Sequence, residues 1–167
     1  MKKTVKFCSL LLVLTLAMSI GVYAQAKKKA SGDKVVFEYE IEAMGFKPQG
    51  TYLIKVWSYF KQAKLPISQA KKNAVHGVIF KGIPGKQGVP AQNAFATPAI
   101  EDQKSDFFDK FFSDGGDFQK YVTESGDGTI AAEDIIKIGK QYKIGVVVEV
   151  NVTELKKTLV NSGIIAR

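Results

Sequence analysis

Apolar and polar residues alternate over residues 34–44: Val35, Phe37, Tyr39, Ile41 and Ala43 fall on one side, Glu38, Glu40 and Glu42 on the other. A period of two is a β-strand with one wetted face. Phe46, Pro48 and Gly50 supply turn residues, and the β-branched and aromatic run 51–60 predicts the returning strand of an antiparallel hairpin. The period then becomes helical. Ile67, Ala70, Ala74, Val75, Val78 and Ile79 recur on one face, and Gln69, Lys72, Asn73 and His76 form the polar face. Pro66 or Ser68 starts this helix, and Gly82, Pro84 and Gly85 stop it. Residues 85–99 contain Pro90 and Pro98 and no period, so they read as a long connection, a kind of segment that often carries function.

Ser105 and Asp106 can cap a short helix whose Phe107, Phe108, Phe111 and Phe112 make one face wholly aromatic, read as the core face, before Gly115 and Gly116 end it. Residues 118–124 read as a third strand, and residues 138–150 contain the clearest one, with Ile144, Val146, Val148 and Val150 on one face and Glu149 on the other. Asn151 caps a final helix that buries Val152, Leu155, Leu159 and Val160 and ends near Gly163. This order of elements predicts an α+β fold: an antiparallel sheet of about four strands with helices packed on one face.

The N-terminus changes the picture of charge. Lys2, Lys3 and Lys6 precede an apolar run over 10–20, followed by small residues around Ala24 and Ala26, the pattern of a Sec signal peptide spanning 1–26. The apolar run is shorter than the roughly 20 residues of a spanning helix. A basic tail, 27–33, and a single domain, 34–167, follow. The whole chain carries 24 basic and 16 acidic residues, a net +8. From residue 30 onward 18 basic residues face the same 16 acids, leaving +2. Residues 43–100 hold eight lysines and no acid, whereas 101–134 hold ten acids and three lysines. These blocks either pair with each other or leave a lysine face for an anionic partner. The only arginine is Arg167, so bidentate readout of phosphate or guanine has no supply, and sequence-specific nucleic acid is not an expected partner.

Chemistry is thinly provided. Cys8 lies inside the signal segment, which leaves the remainder without a thiolate, a disulfide or a cysteine metal ligand. His76 is the only histidine, placed by its spacing on a helix surface, and no nucleophile elbow or phosphate-binding loop occurs. Glu38, Glu40 and Glu42 share a strand face at about 6.5–7 Å intervals, a spacing compatible with glycan hydrolysis but equally with any solvated face. Residues 123–134 resemble an EF-hand loop in part, offering Ser125, Asp127 and Asp134 to calcium but Thr123 where the first carboxylate belongs. No cofactor and no resident metal are expected.

The run Gly50 to Tyr59, the stretch Ala70 to Gly82, and the closing pattern Tyr142 to Val150 followed by 155–165 resemble small exported proteins of Bacteroidetes-type bacteria, most of which have no assigned function. More distantly, the Trp-bearing strand, Ala-rich helix and late hairpin are similar to envelope lipoprotein domains and to the N-terminal domain of a flagellar assembly protein. The resemblance implies a non-catalytic envelope domain and transfers no functional residue; the lipid-anchor cysteine of the lipoproteins is missing. The expected function is therefore binding or assembly in the periplasm or on the cell surface, with an envelope protein or anionic envelope polymer as partner. The expected surface is Lys71, Lys72, His76, Lys81 and Lys86 with the 83–99 connection. The alternatives are a glycan hydrolase using Glu40 and Glu42, and a polyanion-binding module using the lysines of 43–100.

Overall fold

The computed structural model describes residues 38–64 and 66–166. The expected signal peptide, the expected basic tail and the expected strand positions Val35 and Phe37 lie outside the described residues. Strand β1 (Tyr39–Lys47) turns through Pro48–Gly50, where Gln49 takes a positive φ of 67°, into β2 (Thr51–Phe60). The register sets Glu40 opposite Trp57 and Glu42 opposite Lys55, and it skips Met44, a β-bulge that returns Phe46 to the side of Tyr52. Strand β5 (Gln141–Asn151) pairs antiparallel along all of β2.

The far edge of β5 is shared. Strands β3 (Val122–Glu124) and β4 (Ile135–Ile138) pair with its C-terminal and N-terminal halves, so they act as one edge strand interrupted by the excursion 125–134. The α+β reading stands, with five strands in place of four because of that interruption.

Helices α1 (Ile67–Phe80), α2 (Pro98–Gln103), α3 (Ser105–Phe111) and α4 (Val152–Asn161) complete the domain. One face of the sheet, carrying Tyr52, Ile54, Val56, Ile144, Val146 and Val148, joins Val75, Val78 and Ile79 of α1 and Leu155 and Leu159 of α4 in one buried cluster. Each fully buried aliphatic side chain contributes about 1.5–3 kcal/mol of apolar burial. Close approach of α1 to β1 requires Gly77: a Cβ there would lie 2.1 Å from Ile41 Cδ1 and 2.9 Å from Tyr39 Cε2. The phenylalanine stripe is core, as expected, with Phe108, Phe111 and Phe112 buried. Asn151 caps α4 by accepting the Glu154 N–H at 3.0 Å, and Gly163 follows the helix with a φ of 66°.

Three expectations need correction. Residues 118–121 are not strand but part of a 3-10 turn, Asp117–Tyr121. In a 3-10 turn residues three apart eclipse, so Phe118 and Tyr121 align and meet Phe112 and Phe111. A strand would send them to opposite faces. Next, the connection 85–99 is not loose. Ile83 pairs with Gln92 and Lys86 with Val89, Val89 and Ala96 are buried, and the amides of Phe95 and Ala96 both donate to the Ile79 carbonyl. It leads into α2, which the sequence reading omitted. Finally, Ser68 sits inside α1 and Ser105 inside α3; neither caps its helix.

The polar face of α1 is also partly interior. Asn73 and His76 are buried, because α1 is covered by the sheet on one side and by residues 95–101 on another. Asn73 Nδ2 donates to Ser58 Oγ at 2.9 Å, giving the fully buried Ser58 hydroxyl a partner on the core side of β2, and Gln69 donates to Asn73 Oδ1. Asn73→Ala is expected to cost about 1–2 kcal/mol by orphaning Ser58. In a urea-denaturation cycle, adding Ser58→Ala should recover part of that loss, whereas additive losses would show that the pair is not coupled.

Candidate functional site

The expected binding lysines do not form a free surface. Lys71 is bridged to Glu124 at 2.6 Å, Lys72 approaches Asp114 at 3.7 Å, and Lys86 reaches Glu42 at 3.4 Å. Lys81 donates to the Tyr39 carbonyl at 2.8 Å and lies 3.9 Å from the centre of the Tyr39 ring; burial lowers its pKa. His76 is only 6% exposed. Its Nδ1 accepts from the Tyr39 hydroxyl at 2.6 Å and its Nε2 meets Glu101 Oε1 at 3.0 Å, partners that suit a neutral ring. Burial, and then the charge of Lys81, pushes its pKa down to about 4. The surface-helix histidine of the sequence reading is thus an interior residue.

Acidic and basic blocks face each other in three places: Lys55 with Asp134, Lys71 with Glu124, and Lys72 with Asp114. The calcium ligands do not converge. Asp134 is committed to Lys55 at 2.7 Å, and Asp127 Oδ1 accepts the Thr129 N–H of its own turn. Among the described residues no group of three His, Cys, Asp or Glu side chains is placed to hold a metal ion. The excursion closes through Lys55, so the EF-hand likeness is one of turn residues only.

Among the described residues, what the helices leave uncovered is the other face of the sheet. Along β2 the residues that alternate with the core are Leu53, Lys55, Trp57 and Tyr59, all partly exposed. Trp57 lies across β5 at Gly145, where an added Cβ would come within 2.9–3.1 Å of three indole carbons. Lys55 and Lys143 each approach the indole with Nζ at 5.3 Å from its centroid, within the range of a cation–π contact.

Glu40 and Glu42 stand on the same face. Glu40 accepts from Lys143 at 2.7 Å and from the Tyr59 hydroxyl at 2.6 Å, and these bonds hold its carboxyl below the usual range. Glu42 accepts from the Trp57 indole N–H at 3.3 Å and from Lys86, with the same direction of shift. Both are ionised at neutral pH. Neither is the raised carboxyl that a glycosidase uses as general acid. With Lys47 bridged to Glu149 as well, the face carries both signs, in pairs.

Beyond Tyr59 the face ends at a hollow of about 660 Å³ lined by Tyr59, Phe60, Lys61, Gln62, Lys64, Pro66 and Gln141. The spacing of the glutamates alone does not show the aromatic side chains beside them. The signal was present: alternation in β2 sets Trp57 and Tyr59 opposite in phase to Ile54 and Val56, and a hairpin through 48–50 brings them beside Glu40 and Glu42. Gly145→Ala is expected to lift the indole from its seat and red-shift Trp57 emission while changing stability little, because the strain is relieved toward solvent. An unchanged spectrum would mean that the indole does not rest there.

Comparison with known proteins returns no matching family model, no matching curated protein and no matching solved structure. Among the described residues no helix is long and apolar enough to cross a membrane.

Proposed function

We propose that this is an exported, non-catalytic cell-envelope protein, periplasmic or surface-associated, that works by binding an envelope polymer. The surface it uses is the uncovered sheet face around Trp57 rather than the lysines of α1. The observation that carries this reading is the indole laid against Gly145, on the sheet face that no helix covers among the described residues, within reach of charged hydrogen-bonding groups. A partly exposed aromatic ring set among polar groups is a surface on which a partner's ring can stack. Glu40 and Glu42 are stabilised as anions, which favours a holding role over a hydrolytic one.

Trp57 is the only tryptophan of the chain, so its emission reports this site directly. Purified peptidoglycan is expected to co-sediment the protein and shift Trp57 emission, without release of soluble sugar, and Trp57→Ala should lose the co-sedimentation. Unaltered co-sedimentation of Trp57→Ala, or release of soluble sugar by the wild type, would overturn the proposal. Fractionation should place the protein in the periplasm or with the outer membrane.

A further inference from the structure

The lysines of 43–100 are sorted by what they touch. Lys47, Lys55, Lys71, Lys72 and Lys86 are bridged to carboxylates, and Lys81 is engaged by Tyr39. Lys61 and Lys64 remain, both exposed and with no ion-pair partner among the described residues. These two line the same hollow, the one that continues the Trp57 and Tyr59 platform, beside the amides of Gln62 and Gln141. Among the described residues no carboxylate lines it. Pro66, which precedes α1, forms part of its wall, and α1 has no acid in its first turn, so the positive end of a 14-residue helix dipole opens nearby.

Two chemistries therefore adjoin. Trp57 and Tyr59, about 6.5–7 Å apart along one strand face and both partly exposed, with Lys143 Nζ 5.3 Å and 5.7 Å from their ring centroids, offer the uncovered parts of their rings to a flat, weakly polar partner. The hollow offers two free ammonium groups and two amides to an anion. We infer that the ligand of the open face is an acidic polysaccharide: its sugar rings stack on Trp57 and Tyr59, and its carboxylates are received by Lys61 and Lys64. A neutral glycan leaves the hollow's cations unanswered, and a simple polyanion leaves the rings bare. The inference rests on the binding role proposed above and assigns that role its ligand class.

Three probes separate the terms, each read by Trp57 emission and by its Kd at low salt: an oligogalacturonate, a neutral chito-oligosaccharide of equal length, and polyphosphate. The oligogalacturonate is expected to bind tightest, with an emission shift and a Kd at least about tenfold below that of the neutral chain, the scale of one hydrogen bond to a charged group. Lys61→Ala combined with Lys64→Ala should erase that preference without disturbing the fold, since both side chains are exposed. Lys156→Ala, exposed on α4, should leave it intact. Equal affinity for the neutral chain would sink the acidic ligand while leaving the open-face role standing. So would binding of polyphosphate in preference to the sugar acid, or binding of peptidoglycan alone. Silence toward every polymer, peptidoglycan included, would sink both.

Discussion

Acidifying the protein from pH 7 to pH 4 is expected to remove about 3 kcal/mol of folding stability through His76 alone. In the folded state this imidazole is held neutral between the Tyr39 hydroxyl and Glu101, with its pKa pushed down to about 4 from the ordinary 6.5. Burial is the larger cause, and the Lys81 ammonium adds to it. The unfolded chain binds a proton at 6.5 that the folded chain refuses until about 4. Between those values the unfolded state holds more protons, so stability rises with pH and falls as pH falls. The contribution is complete above pH 6.5 and gone below about 4. Glu40 and Glu42 act in the same direction, but their loss begins only below the ordinary carboxylate value of 4.5, which separates the windows. Urea midpoints taken from pH 7 to 4.5 should decline in the wild type and stay nearly flat in His76→Gln, whatever that variant's absolute stability. A decline of equal slope in both would remove His76 as the cause.

That histidine also marks where sequence reasoning reaches its limit. Period alone fixed the two long strands: Ile54 and Val56 in β2, and Ile144 to Val150 in β5, alternate because each strand has one buried face. Period placed His76 and Asn73 on the polar side of α1 as well, correctly as a matter of helix geometry. It failed to see that residues 95–101 fold back over that side, since nothing local in a proline-interrupted segment predicts that the Phe95 and Ala96 amides will find the Ile79 carbonyl. The same limit applies to the lysines. Their excess over 43–100 was plain in the sequence, but which of them are spent depends on long-range partners such as Glu124 for Lys71 and Glu149 for Lys47. Only the fold leaves Lys61 and Lys64 over. The glutamate row of β1 was legible. Its aromatic neighbours needed the hairpin register, which sets Glu40 opposite Trp57.

Asp134→Ala should destabilise the fold by about 2–4 kcal/mol, somewhat below the 3–5 kcal/mol typical when one partner of a fully buried pair is removed. The Asp134 and Lys55 side chains are only 10% and 16% exposed and meet at 2.7 Å, so truncation strands an ammonium in a poorly solvated place beside the indole. Lys55→Met, which keeps the stem and removes the charge, should restore part of the loss when combined with Asp134→Ala, because it removes the stranded cation. The single variant also tests what keeps the edge strand in two pieces. Ser125 is fixed at the start of the excursion by its N–H to the Val147 carbonyl at 3.2 Å, and Asp134 fixes the end. Losing the second anchor should raise hydrogen exchange across residues 126–134 while the amides of β2 and β5 stay protected. Equal stability of Asp134→Ala and wild type, or exchange that rises evenly over the sheet, would show that the ion pair does not tie the excursion to the face.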